Sequence, residues 1–237
     1  FGYGRTYNIT NKVSNSGVVA SDTTGVGTAR WGLAATEYGV GLGIFAYGDD
    51  DSNVSRVSNL INSSGVVASD TSGVGTVRKA TAAASYGGDK GIYAFGEDGD
   101  GAKINLSNLV TNVGVIGSDV TGVGSARESL AAASYGGDKA IFGYGSTGGG
   151  SGKVSTTNLV SNSGVVASDT TGVGQVRGTL AGANYGGDKA IFGYGDNSGT
   201  KYSITNLVNN NGVVSANVTG VGTERQGLAA AGYSTSA

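Results

Sequence analysis

The chain has 237 residues, of which 38% are apolar and 46 are Gly. That Gly share is far above the usual ~7%. The absence of a Gly-X-Y period excludes collagen, and the fixed placing of Gly between β-branched and aromatic runs excludes a disordered chain. A formal net charge of -2 leaves no basic footprint, which argues against nucleic acid and anionic membranes as partners.

One phrase orders the chain. It opens as Phe1-Gly2-Tyr3-Gly4 and returns over Gly41 to Gly48, Asp89 to Gly96, Asp138 to Gly145 and Asp188 to Gly195. Residues 110–145 and 160–195 agree at 25 of 36 positions without a gap. Arg30, Arg78, Arg127, Arg177 and Arg225 mark the same unit at spacings of 48, 49, 50 and 48. A period of this length means one supersecondary unit used several times. After each Arg comes a short apolar strand such as Leu180 to Tyr185. A Gly-Gly-Asp-Lys turn follows, because those positions favour positive φ. In the next strand, simple alternation puts Phe192 and Tyr194 on one face and Ile191, Gly193 and Gly195 on the other. A polar loop leads to Tyr202 to Val208, and Asn210-Asn211-Gly212 turns the chain into Val213-Val214-Ser215. Four short strands per unit are therefore predicted. The Ala runs are too short, and too crowded by Gly, for a helix.

Length variation falls in one loop, after the phrase, where 8, 12, 13, 14 and 12 residues lead to Lys12, Leu60, Leu109, Leu159 and Leu207. Insertions confined to one loop lie on one face. The chain starts in mid-unit and stops in mid-unit after Tyr233, so its two ends together make a fifth unit. Complementary halves suit a ring, which leaves no sheet edge open. The expected fold is all-β, a five-bladed β-propeller of four-stranded antiparallel blades occupying 1–237 as one domain. Its fifth blade is shared between 1–20 and 226–233, closed by 228–233 pairing with 1–4. The small residues of Leu-Ala-Ala-Ala suit a crowded innermost strand. The chain has no Met, even at position 1, which is expected of an excerpt from a longer protein.

Arg-x-x-Leu-Ala-Ala-Ala, the Gly-Gly-Asp-Lys turn, an apolar strand ending in Gly and a later Leu-Val strand resemble a kelch-type repeat over the whole chain. That resemblance implies a propeller with repeats of about 50 residues. Gly-Tyr-Gly stands where kelch has a double Gly, and the Trp of the kelch fourth strand is replaced by Val165-Val166. The wording of the repeat is also similar to virion and tail proteins of aquatic bacteriophages. This implies a place on a virion or extracellular surface.

Catalytic chemistry finds few candidates. Cys and His are absent, which removes disulfides, thiolate metal sites and the commonest general base. No apolar run reaches the roughly 20 residues that span a membrane, and no signal peptide is recognised. Glu37 is the one carboxylate within a first strand, where its counterparts are Ser85, Ser134, Asn184 and Gly232; Glu128 and Glu224 lie near strand entrances. The acidic loops Asp49 to Asp51 and Glu97 to Gly101 carry oxygen ligands suited to Ca²⁺ but lack the spacing of an EF-hand loop. They read as solvated loops, and no cofactor or metal is expected. Asp22, Asp70, Asp119 and Asp169, with Asn217 in the fifth copy, read as turn formers that pair with Arg.

What differs between copies is the position after each Arg: Trp31, Lys79, Glu128, Gly178 and Gln226. The polar loops add Tyr7, Asp50, Asp98, Asp100 and Tyr202. Variation at strand entrances and in one set of loops reads either as a binding surface or as drift at exposed positions. The expected function is a non-enzymatic interaction or structural module that binds a host-surface glycan or another virion protein. Alternatives are a lectin-type propeller of bacterial origin and a glycoside hydrolase on five blades. Tyr38, Tyr86, Tyr135, Tyr185 and Tyr233 are expected to pack between blades.

Overall fold

Short runs of β-branched, Ala and aromatic residues closed by Gly can form only short strands. The computed structural model consists of such strands; it describes residues 2–4, 7–148 and 152–232. Among these residues there are sixteen strands and no helix. They are β1 (Gly2–Gly4), β2 (Tyr7–Thr10), β3 (Ala34–Tyr38), β4 (Leu42–Ala46), β5 (Ser58–Ile61), β6 (Ala82–Tyr86), β7 (Lys90–Glu97) and β8 (Lys103–Val110). Then come β9 (Ala131–Tyr135), β10 (Lys139–Gly143), β11 (Thr157–Val160), β12 (Ala181–Tyr185), β13 (Lys189–Gly193), β14 (Asp196–Asn197), β15 (Thr200–Lys201) and β16 (Thr205–Val208). The fold is all-β, in several small antiparallel sheets.

Four sheets have three strands each: β3-β4-β5, β6-β7-β8, β9-β10-β11 and β12-β13-β16. β1-β2 and β14-β15 form two-stranded sheets. The hairpin register repeats from unit to unit, with Ala34 opposite Ala46, Ala82 opposite Ala94, Ala131 opposite Gly143 and Ala181 opposite Gly193.

The expected fourth strand is not a strand. It is a segment held by isolated bridges, such as Ile61 to Val67 and Ser58 to Thr71. The cause is a side chain. Between those bridges the Asn59 amide donates to the Ala68 carbonyl at 3.1 Å and to Asp70 at 2.8 Å. The Asn side chain supplies a hydrogen bond that the backbone ladder would otherwise make. Asn108, Asn158 and Asn206 do the same in their units.

The expected pairing of 228–233 with 1–4 is also not observed. Gly2 and Gly4 pair with Thr10 and Tyr7, and residues 228–232 join no strand; Phe1 and Tyr233 lie outside the described residues. The C-terminal segment instead docks on the unit before it. The Gly195 N–H donates to Arg225 O at 3.0 Å, and the Gly227 N–H to Thr179 O at 2.9 Å.

Successive sheets stack through their first strands, with β3 beside β6, β6 beside β9 and β9 beside β12. Small residues permit this: a Cβ added to Gly182 would sit 2.6 Å from the Ala132 carbonyl oxygen. The core lies between the sheets. Tyr86, Ile92 and Phe95 of one unit pack with Leu130, Phe142 and Val160 of the next. Each such fully buried large side chain stabilises by roughly 1.5–3 kcal/mol.

Phe192 and Tyr194 face opposite ways, against the simple alternation. The Phe192 ring meets Tyr144 of the preceding unit edge to face at 5.4 Å, whereas Tyr194 lies under Arg225 of the following one. The alternation fails because the aromatic residue closing the phrase is left-handed: Tyr47, Phe95, Tyr144 and Tyr194 have φ of 67°, 63°, 65° and 63°. The Gly after each also has positive φ. A pair of left-handed residues turns the strand and sends the ring to the other face.

Candidate functional site at the strand entrances

The site is framed by the repeated Arg. Arg30, Arg78, Arg127 and Arg177 are fully buried, an expensive place for a charge unless it is well paired. Three of them carry their charge over an aromatic face of the preceding unit: Arg78 over Tyr47, Arg127 over Phe95 and Arg177 over Tyr144, at 4.2, 4.2 and 4.3 Å from the ring centres. Within its own unit Arg127 donates to Tyr144 O at 2.9 Å, to Ser125 O at 3.2 Å and to Asn158 Oδ1 at 2.5 Å. Burial still lowers its pKa to about 10, so it remains charged at neutral pH.

The expected partnership of Asp with Arg exists, but it runs backwards along the chain. Asp70 lies 3.7 Å from Arg30, and Asp169 lies 3.7 Å from Arg127, each an Arg of the unit before the Arg that follows the Asp in sequence. Asp70 also accepts from the Thr28 N–H and hydroxyl and from Asn59. Burial alone would raise its pKa, but those hydrogen bonds and Arg30 hold it below the usual value. Asp119 and Asp169 behave alike. In the first copy Asp22 accepts from Asn11 at 2.8 Å.

Two residues past each Arg the chain takes a left-handed conformation. Gly32, Ala80, Ser129, Thr179 and Gly227 have φ of 64°, 49°, 53°, 49° and 66°. Their amides form a relay across the units: Ala80 N to Gly32 O at 2.7 Å, Ser129 N to Ala80 O at 3.0 Å, Thr179 N to Ser129 O at 2.9 Å and Gly227 N to Thr179 O at 2.9 Å. These residues and the ones after them, Leu33, Thr81, Leu130, Leu180 and Leu228, line a cavity of about 480 Å³ that Trp31 also walls. Sequence reading missed this row of positions because three of the five are not Gly.

Beside the cavity, the residue after four of the five Arg pairs through its backbone with the residue after the following phrase: Trp31 with Asp49, Lys79 with Glu97, Glu128 with Ser146 and Gly178 with Asp196. This gathers Trp31, Lys79 and Glu128 into one strip. Lys79 Nζ lies 4.9 Å from the centre of the Trp31 ring, 2.8 Å from Asp49 and 3.7 Å from Glu97. Lys103 pairs with Glu97 and, at 3.2 Å, with Glu128. The Trp31 indole N–H donates to Asp51 at 2.9 Å. The hydrogen bond and charge of Asp49 raise the Lys79 pKa. Asp49, Glu97 and Lys103 complete the strip, and sequence reading had placed the first two only in acidic loops.

The other sequence candidates stand apart. Asp50 accepts from the Ser52 and Asn53 amides at 2.9 and 2.7 Å, and Asp98 from Asp100 and Ala102 at 3.0 and 2.9 Å, so both shape their own loops. Asp100 is exposed, Tyr7 is 64% exposed on β2, and Tyr202 is half-buried after β15. Gln226 is exposed at the C-terminal end of the row that begins with Trp31. Among the described residues no group of three or more acidic side chains is placed to hold a metal ion.

Glu37 is exposed at the far end of β3. It stands six residues beyond Trp31, with the left-handed Gly32 between them, so the separation is shorter than the roughly 20 Å of a fully extended stretch. Glu128 occupies the Trp31 level, paired with Lys103. A glycosidase needs two carboxyl groups about 5–9.5 Å apart, and Glu37 and Glu128 stand toward opposite ends of their first strands. Ser85 and Ser134, the counterparts of Glu37, bond to each other at 2.8 Å. What the arrangement offers chemically is an aromatic wall, an apolar floor and a charge-paired rim. No family model and no curated protein matches this chain.

Proposed function

We propose that the chain is a non-enzymatic binding module, a five-bladed β-propeller whose strand-entrance face attaches to a surface glycan. The observation that carries this reading is a division of roles within the repeat. The constant Arg, Asn, Asp and aromatic residues are spent inside, joining each unit to the next. The varied positions after each Arg collect on one rim, where Trp31, Lys79 and Glu128 share partners beside an open cavity. Five blades are supported by that cavity, to which all five units contribute the same two positions.

Display on the outside of a phage particle fits the resemblance of the repeat, and a surface of amides and hydroxyls fits sugar recognition. A glycoside hydrolase is the weaker reading, because Glu37 and Glu128 lie at opposite ends of the first strands. The test is an array of immobilised glycans, followed by incubation of the chain with those it retains. Saturable retention without product supports the module. Product formation that disappears in Glu37→Gln revives the hydrolase. Silence across the array, with the chain bound to a purified particle, replaces the glycan with a protein partner.

A further inference from the structure

Resting on the reading that the strand-entrance face binds glycan, we infer that the cavity walled by Trp31 is its one sugar subsite, and that it takes a neutral sugar bearing an apolar substituent. Three observations lead there. The cavity of about 480 Å³ falls within the size of small-ligand sites, roughly 300–1,000 Å³. Its floor is apolar, built by Leu33, Leu130, Leu180 and Leu228 from four units. A sugar with only hydroxyls would leave that floor unmatched, whereas an acetamido or 6-deoxy methyl group fills it.

The second observation is the aromatic wall. Trp31 is the one Trp in the chain, and the equivalent positions hold Lys79, Glu128, Gly178 and Gln226, so a single stacking surface exists rather than five. That surface is set in place before any ligand arrives: Asp51 fixes the indole N–H and the Lys79 ammonium sits over the ring. An aromatic held by its neighbours loses little freedom on binding. Ser129, which also lines the cavity, carries a hydroxyl that can serve as a polar partner.

The third observation is charge. Lys79 is shared by Asp49 and Glu97, and Lys103 by Glu97 and Glu128. Beside Trp31 the carboxylates outnumber the cations they hold, which opposes an acidic sugar there, whereas Lys153, whose ammonium lies beside Gly178 farther along the row, has no ion pair with a described residue. The Trp31 end of the cavity therefore favours a neutral sugar.

Because Trp31 is the sole Trp, its fluorescence reports on this site alone. The experiment titrates the chain with N-acetylglucosamine, N-acetylgalactosamine and L-fucose, beside glucose and N-acetylneuraminic acid, and repeats the titrations by calorimetry. The expected result is a saturable change with at least one acetylated or deoxy sugar, at one site per chain, and weaker binding of glucose and the acidic sugar. Trp31→Ala should weaken binding roughly 30-fold, as loss of an aromatic anchor does, while Trp31→Phe restores part of it. Leu180→Asn should weaken binding with the β-sheet circular dichroism kept, and Asp98→Asn, in a separate loop, should leave it unchanged. Glycan retention that survives Trp31→Ala undiminished, or more than one site per chain, overturns the subsite and leaves the binding module standing. Absence of retention on any glycan surface overturns both.

Discussion

The guanidinium of Arg78 lies 4.2 Å from the centre of the Tyr47 ring, across the boundary between two repeats. The same contact joins Arg127 to Phe95, Arg177 to Tyr144 and Arg225 to Tyr194. At Arg78, Arg127 and Arg177 the junction buries a cation against the preceding unit while Asn and carbonyl groups of its own unit accept from its N–H donors, the Arg78 Nε–H excepted; Arg225 is exposed. The repeat is held by its most polar residue.

Replacing that residue should be costly. Arg127→Lys keeps the charge but loses the planar stack and the fork that reaches Tyr144 O, Ser125 O and Asn158 together. A buried cation left part-satisfied costs about 3 kcal/mol. Urea denaturation should show a lower midpoint for this variant, and an unchanged midpoint would contradict the role given to Arg127.

Tyr47→Phe should act the other way. The Tyr47 hydroxyl is buried and makes no hydrogen bond, and Phe95 fills the same place in the next unit. Removing an unsatisfied buried hydroxyl while keeping the ring relieves a desolvation penalty. Stability equal to or up to about 1 kcal/mol above the parent is expected in the same urea series.

Acid should loosen the junctions. Asp70, Asp119 and Asp169 have pKa values held below the usual carboxylate range in the folded chain, because hydrogen bonds from Thr or Ser and Asn, with help from Arg, outweigh burial. A depressed folded pKa means that the stabilisation is complete above the unfolded value, near 4, and is lost as pH falls through the folded one. The fifth copy shows the remedy: Asn217 accepts from the Gln175 amide and from Asn206, both at 3.1 Å. The triple variant Asp70→Asn, Asp119→Asn, Asp169→Asn should fold at neutral pH and lose less of its melting temperature between pH 5 and pH 2.5 than the parent does. An identical pH profile would contradict this.

Ala80 is a left-handed residue with a Cβ, φ 49°, which costs an L-residue about 1–2 kcal/mol. Gly already serves at the equivalent positions 32 and 227. Ala80→Gly should raise the stability by a few tenths to about 1 kcal/mol after the unfolded-state entropy of Gly is offset. A fall in midpoint would mean that the Ala80 methyl packs more usefully than the backbone strains.

The strand order of each unit was legible because Gly-Gly turns and short apolar runs act locally. The Arg spacing was equally plain, yet the place of Arg in the interior was not, since an Arg in sequence reads as surface. A signal was available: Asn59, Asn108, Asn158 and Asn206 each stand 19 residues before the following Arg, although each bonds the Arg before it. That same Asn explains the missing fourth strand, which periodicity alone could not foresee. The two-faced setting of Phe192 and Tyr194 depends on left-handed backbone at a Tyr, which propensity does not anticipate. At the rim, position in the repeat identified Trp31, Lys79 and Glu128, but the ion pairs joining them depend on bridges across variable loops. Asp50 and Asp98 looked available in sequence because their amide partners are turns of their own loops.

The division between an interior that joins the units and a rim that binds is tested most directly by changing the rim alone. The variant carrying Trp31→Ala, Lys79→Ala, Glu128→Ala and Gln226→Ala together should be compared with the parent for glycan retention and for β-sheet circular dichroism. The expected result is an unchanged β spectrum with retention lost. Retention equal to the parent's by a folded quadruple variant would contradict it.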